Sequence, residues 1–255
     1  MIRLEGKRAF VTGGGRGIGR ATALMLARAG ASVAVGFRTR KAEAEELTRA
    51  VASGPGRSQA IAIAADLGDP GEAARAVHEA AHVLGGLDIL VVNHGIWPPD
   101  DAPLAELPLE QWSATCRTNL DAAFYVCRAA LPRLNAGGRI VLVASTAGQR
   151  GEPFHADYAA SKGGIIAFTK SLAVECAPRI AVNCVAPGWV DTEMCEVPFE
   201  RDAGSGKRDI EARIPLGRVA TAEEIAGPIV FLCSDLATHI TGEVLNVNGG
   251  SVLCG

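Results

Sequence analysis

A doubly wound α/β fold, one parallel sheet of about seven strands with helices on both faces, is what this sequence predicts. Three observations lead there. Short β-branched or apolar runs recur along all 255 residues, amphipathic stretches of helical spacing separate them, and a glycine-rich turn joins the first run to the first such stretch. Several runs are near-continuously hydrophobic, as expected of strands covered on both faces. Strand and helix alternate from end to end, and a crossover helix between strands implies parallel pairing. No Ser/Gly-rich linker or internal repeat interrupts the pattern, so 1–255 reads as a single domain.

The first elements are "RAFVTGGGRGIGRATALMLARAG", a strand, a glycine turn and a helix. Gly13, Gly17 and Gly19 stand at G-x-x-x-G-x-G, with Gly15, Arg16 and Ile18 among them. Without Cβ atoms the backbone can turn sharply and approach a pyrophosphate at the positive end of the following helix. A strand before and a helix after favour a Rossmann-type dinucleotide site over a bare tight turn.

The second strand, "SVAVGFRTRK", ends without the Asp or Glu that grips an adenosine ribose in many NAD sites. Arg38, Thr39, Arg40 and Lys41 follow Phe37, and Arg16 lies in the glycine turn. Positive charge there suits a ribose 2′-phosphate, so NADP(H) is preferred and NAD(H) stays possible. A solvated helix start capped by Thr39 is compatible with the same residues.

"AEELTRAVA" gives the second helix and "QAIAIAAD" the third strand. Residues 78–88, "HEAAHVLGGLD", then raise a separate possibility, a zinc protease in which His78 and His82 share a metal and Glu79 acts as base. The alternative is structural. Val77, Ala80, Ala81 and Leu84, with Ala73 and Ala74 a turn earlier, form an apolar stripe; Gly85 and Gly86 stop the helix; Asp88 leads into the fourth strand, "LDILVVN". On that reading His78, Glu79 and His82 face outward at the N-terminal end of the sheet, and no metal site is expected.

Helical segments around 110–134 and 156–176 flank a fifth strand, "GRIVLVAS", and "RIAVNCVAP" and "GEVLNVNGG" supply the sixth and seventh. Residues 193–214, with the polar "ERDAGSGKRD" at 200–209, read as a lid over a substrate or equally well as a disordered loop. Ser145 falls at a C-terminal strand edge, where open α/β sheets place ligands. In "YAASK", Tyr158 and Lys162 are four apart and share a helix face. An adjacent ammonium and an oxidised nicotinamide ring both favour phenolate, so Tyr158 can exchange a proton while Ser145 holds a substrate oxygen and Lys162 a ribose.

Together "TGGGRGIG", Asp66 with Leu67, "NHG" at 93–95, "TNL" at 118–120, Ser145, "YAASK" and "PGWVDT" resemble the short-chain dehydrogenase/reductase family over essentially the whole chain. The resemblance implies a catalytic tetrad of Asn119, Ser145, Tyr158 and Lys162, with Asn119 acting through a proton-relay water. It further implies that Asp66 meets adenine, that Asn93 and Gly95 line the cofactor, and that Pro187, Gly188, Val190 and Thr192 pass near the nicotinamide. Without it, Asn119 is a helix residue that makes a backbone bond. His94 replaces the family's usual small alanine, as a packed structural histidine or one that alters pH response, and Asn248 replaces a frequent aspartate.

"RIPLGRVATAEEIA", "GEVLNVNGG" and Arg16 resemble the 3-oxoacyl-thioester reductases of the family, which implies NADPH-dependent reduction of a 3-oxoacyl thioester. Val174 stands where carrier-protein-dependent members often have arginine, although Arg128 and Arg133 offer positive charge. The alternatives are a dehydrogenase of another ketone, sugar or cyclic alcohol, and a noncatalytic NADP sensor, which would not need the reactive set. Trp97 and Trp189 follow strands and can wall an apolar substrate pocket, with Phe154 and His155 also facing substrate. The family's pairing of corresponding helices implies a homotetramer.

A net charge of −3 excludes a strong field for nucleic acid or an acidic membrane. Charges at Arg3, Glu5, Lys7 and Arg8 break any signal-peptide core, and Lys170 interrupts "IIAFTKSLAV", so a soluble cytoplasmic protein is expected. Seven dispersed cysteines without C-x-x-C read as structural thiols, Cys195 and Cys254 being the most exposed.

Overall fold

The computed structural model describes residues 2–54 and 58–253. Seven strands form one parallel sheet in the order β3-β2-β1-β4-β5-β6-β7. They are β1 (Arg8–Thr12), β2 (Ser32–Phe37), β3 (Ala60–Ala64), β4 (Leu87–Val92), β5 (Leu134–Val143), β6 (Ile180–Pro187) and β7 (Val244–Val247). The order reverses between β1 and β4, which opens a crevice beyond the carboxyl ends of the two strands.

Successive strand residues point to opposite faces, and each face has its own core. Leu87, Leu90 and Val92 of β4 pack with α3 (Pro70–Leu84), α5 (Ala122–Ala130) and α7 (Ala156–Cys176). Ile89 and Val91 of β4 pack on the other side with α1 (Gly17–Arg28), α2 (Lys41–Ala52) and α10 (Ala222–Leu232). All these strand side chains are buried, which explains the continuous apolar run in the sequence. No helix among the described residues is long and apolar enough to cross a membrane.

Local chemistry sets several boundaries. Asp69 caps α3 by accepting from the Glu72 N–H, Pro70 opens that helix, and Gly85 ends it at φ +74°. Thr221 and Glu224 form a reciprocal capping box on α10. Helix α4 (Leu109–Cys116) runs through a π-helical turn (Arg117–Asp121) into α5, so Asn119 sits where the regular ladder is broken.

The structure corrects some sequence expectations. Arg40, not Thr39, occupies the α2 N-cap, and no side chain caps that helix. The buried side of α3 is Ala73, Ala76, Val77, Ala80 and Leu84, while Ala74 is exposed and Ala81 half-buried. Residues around 200–209 are not a loop, because α8 (Glu196–Gly204) and α9 (Gly206–Glu211) occupy them. Cys195 is half-buried like Cys116 and Cys176, and Cys254 lies outside the described residues.

Candidate active site

The glycines of the first turn do different things. Gly13 and Gly17 adopt positive φ, +62° and +49°, where a side chain is strained. Gly13 also faces the His94 backbone, with a Cβ there 2.9 Å from the His94 Cα. Gly19 does not line the cleft; a Cβ there would overlap the Gly13 carbonyl, so it lets α1 pack onto the turn. Gly13, Gly15, Arg16, Gly17 and Ile18 open into a cleft of about 300 Å³ at the carboxyl ends of the strands. A turn without Cβ atoms at a helix N-terminus fits a pyrophosphate, and the residues beyond it continue the fit.

At one end of the cleft lie Arg16, Arg38, Thr39 and Arg40. Arg40 is held by Glu43 at 3.0 Å, whereas Arg16 and Arg38 are exposed and make no salt bridge among the described residues. Asp66 and Leu67 form the neighbouring wall, with Asp66 accepting from the Gly68 N–H at 3.0 Å and pairing with Arg117 at 2.8 Å. Asn93 and Gly95 line the floor. The Asn93 amide donates to the Thr12 and Gly13 carbonyls, which ties the β4 loop to the glycine turn.

His94 also lines the cleft, but its ring is held at Nδ1, 2.8 Å from the Thr12 hydroxyl, while Nε2 is buried without a hydrogen-bond partner among the described residues. Burial, aided by the charge of Lys162, pushes its pKa down to about 3. That direction favours the neutral ring and the packed structural reading of the residue.

Ser145, Tyr158 and Lys162 converge in the middle of the cleft. Strand β5 ends at Val143, and Ser145 caps the short α6 (Thr146–Arg150), its Oγ accepting from the Ala147 N–H at 3.1 Å. Lys162 is buried, and its Nζ donates to the Val143 carbonyl at 2.9 Å and lies 5.8 Å from the Tyr158 ring centre. Burial lowers the Lys162 pKa to about 8. Burial likewise pushes the Tyr158 phenol above its ordinary value, against a hydrogen bond with Ser145 that favours ionisation. The net direction favours the protonated phenol here, whereas the phenolate expectation concerns a site that also holds an oxidised nicotinamide.

Asn119 stands behind this trio rather than in the cleft wall. Its side chain binds the Ile96 backbone and donates to the Ser161 hydroxyl at 3.0 Å, so the backbone-binding reading of the residue is correct for its side chain.

Trp97 and Trp189 wall the remaining end, packed edge to face with ring centres 6.1 Å apart. Phe199 of α8 packs on Trp189, and Arg201 of α8 reaches the Pro99 carbonyl and Asp101, so α8 rests on this wall. His155 is buried behind Trp97, ring centres 4.7 Å apart, with Nε2 3.3 Å from Asp101. Phe154 is not among the residues that line the cleft. It has φ +67°, is 53% exposed and points away from the cleft. Pro187, Gly188, Val190 and Thr192 complete the lining, as do Glu152, Met194 and Cys195, which the sequence reading did not select.

His78 and His82 lie elsewhere, exposed on α3 with their rings stacked 6.2 Å apart, and Glu79 pairs with Arg75 at 2.9 Å. The N-terminal sheet end they sit near is closed by Arg8 and Asp88, whose Nε and Oδ2 are 2.8 Å apart. Both histidines are thus carried on an exposed helix flank, away from the cleft that holds Ser145 and Tyr158.

Comparison with known proteins agrees with this geometry. The sequence profile of the family described as Enoyl-(Acyl carrier protein) reductase matches residues 13–251. The 3-oxoacyl-(acyl-carrier-protein) reductase FabG of Aquifex aeolicus is 40% identical over 256 residues, covering 98% of each chain. Versicolorin reductase stcU of Emericella nidulans is 36% identical, covering 98% of this chain and 97% of its own. A short-chain dehydrogenase from Burkholderia cenocepacia, solved in complex with NADP, superposes with a TM-score of 0.90 at 36% identity, over 98% of this chain and 99% of that one. The chain belongs to the short-chain dehydrogenase/reductase family and is an NAD(P)-dependent oxidoreductase.

Proposed function

We propose that the protein reduces a carbonyl with NADPH and that its substrate is a 3-oxoacyl thioester. The observation that carries the reaction is the convergence of Ser145, Tyr158 and Lys162 in the same cleft as the glycine turn. Relatives named 3-oxoacyl-(acyl-carrier-protein) reductase, at 37–40% identity, support the substrate.

Arg16 and Arg38 would hold the ribose 2′-phosphate, Asp66 the adenine, and Asn93, Gly95 and Lys162 the nicotinamide half. The bound dinucleotide supplies the hydride. Ser145 and Tyr158 hydrogen-bond the substrate oxygen, and the protonated phenol of Tyr158 delivers its proton to that oxygen as negative charge develops. Lys162 offsets the charge left on the phenol. Asn119 keeps the loop at Ile96 and helix α7 in register, and a water on its main chain would refill the phenol.

A second reading, reduction of another ketone, sugar or cyclic alcohol, is favoured by Val174, which is 82% exposed where carrier-protein-dependent members often have arginine. Exposed Trp112 and Phe124 on α4 and α5 support a homotetramer built through these helices.

The test follows nicotinamide absorbance with NADPH and NADH against 3-oxoacyl thioesters, simple ketones and sugars, with Tyr158→Phe alongside. Turnover of thioesters above ketones, lost in the variant, is expected. Turnover of ketones or sugars alone would replace the substrate assignment, and an unimpaired variant would overturn the mechanism.

A further inference from the structure

Between Ser145 and Tyr158 the chain makes one unusual turn. Helix α6 ends at Gly151, φ +78°, and the His155 N–H closes back on the Glu152 carbonyl at 3.2 Å while Phe154 takes its positive φ. The turn sends the Phe154 side chain to solvent and leaves Glu152 lining the cleft with Tyr158, Trp97 and Trp189. An acidic side chain beside two tryptophans is poorly matched to a purely hydrocarbon substrate.

Glu152 is partly satisfied. The Trp97 side chain hydrogen-bonds its carboxyl, and the nearby charges of His155 and Arg150 act on it, yet it makes no salt bridge among the described residues. It shares the cleft lining with Tyr158, Trp97, Trp189 and Cys195, at the reacting end rather than the adenosine end. Two carboxylate oxygens offer about four acceptor positions, so capacity is left for a donor brought by the ligand.

We infer that Glu152 is a specificity-determining residue that accepts a hydrogen bond from a hydroxyl or ammonium group on the substrate, so that the enzyme prefers carbonyl compounds bearing such a donor near the reacting carbon. A substrate without the donor leaves the carboxylate desolvated and unpaired, and that penalty separates the two classes. The inference deepens the carbonyl-reductase reading and rests on it, though not on the thioester.

The experiment uses matched pairs in two scaffolds. One pair is the 3-oxobutanoyl and 4-hydroxy-3-oxobutanoyl thioesters of N-acetylcysteamine; the other is butan-2-one and 1-hydroxybutan-2-one. In whichever scaffold is turned over, the wild type is expected to favour the hydroxylated member by about tenfold in kcat/KM. Glu152→Leu should erase that preference, mainly through KM for the hydroxylated member. Glu152→Gln, which retains an acceptor and nearly the same shape, should keep part of it, and lose preference for 1-aminobutan-2-one, whose ammonium needs the charge. A wild type that favours the donor-free member, or a preference that survives in Glu152→Leu, overturns the inference. Failure of both thioesters with success of the ketones would refute the thioester assignment alone.

Discussion

The side-chain amide of Asn119 holds Ile96 at both ends of its backbone: Oδ1 accepts from the Ile96 N–H at 2.8 Å, and Nδ2 donates to the Ile96 carbonyl at 2.9 Å. With its other N–H on Ser161, the amide joins the loop after β4 to helix α7, which carries Tyr158 and Lys162. Asn119→Ala removes three hydrogen bonds and strands the backbone partners, at a cost of about 2–4 kcal/mol. A urea melt should show that loss, with kcat reduced as well. An unchanged midpoint would mean the loop does not depend on this strap.

The reactive pair should reveal itself in pH dependence. Lys162, lowered to about 8 by burial, is charged below that value and loses its charge as pH rises through it. Tyr158 is pushed the other way and stays protonated. Carbonyl reduction is therefore expected to fall as pH rises through about 8, before an ordinary tyrosine titrates. Lys162→Arg, charged throughout, should move that limb to higher pH; a limb that stays in place would assign it to another group.

Tyr158→Phe removes the proton donor while leaving the ring. It should lower kcat by about 10²–10⁴-fold with cofactor affinity retained. Fluorescence titration with NADPH separates the two effects, and loss of binding in place of turnover would reassign the residue to cofactor holding.

Arg38 is exposed at the rim and has no salt-bridge partner among the described residues. Arg38→Ser is expected to raise KM for NADPH about tenfold and leave NADH nearly unaffected, since the lost contact is to the 2′-phosphate alone. Equal effects on both cofactors would count against the phosphate assignment.

At the opposite end of the sheet, Arg8 and Asn135 hydrogen-bond Asp88. Burial pushes the Asp88 pKa up, but the Arg8 and Asn135 hydrogen bonds and the Arg8 charge outweigh it, and the net value lies below the ordinary 3.8. A depressed carboxyl pKa stabilises the fold above that ordinary value, and the contribution is lost as pH falls through the folded value. Asp88→Ala should cost about 1–2 kcal/mol at pH 7, allowing for solvent screening, and weaken the acid dependence of the melting temperature. Activity should not change; a selective loss of turnover would show that the two sheet ends are coupled.

The motif His78-Glu79-x-x-His82 shows what short patterns can and cannot determine. Its spacing suits two ligands on one helix side, but the apolar stripe around Val77, Ala80 and Leu84 already favours a solvent-facing flank, and the buried side of α3 includes those three residues with Ala73 and Ala76. The glycine turn, by contrast, carried its own context, a strand before and a helix after. It was readable because the steric demand on Gly13 and Gly17 is local to the chain.

The parallel α/β order, the dinucleotide turn, the positive rim at Arg16 and Arg38, and the Ser145, Tyr158 and Lys162 set were all legible along the chain. The order and the turn follow from hydrophobic period and backbone freedom and the rim from charge along one segment, while the trio combines the four-residue spacing of Tyr158 and Lys162, Ser145 at a strand end and the family resemblance. The folded arrangement was needed to show that Glu152 faces the cleft while Phe154 faces solvent, that the His94 ring is buried against Thr12, and that the Asn119 side chain grips Ile96. Each of these outcomes depends on a neighbour from another element or on a left-handed turn that residue type does not announce, so the contact exists only once the β4, β5 and β6 loops converge.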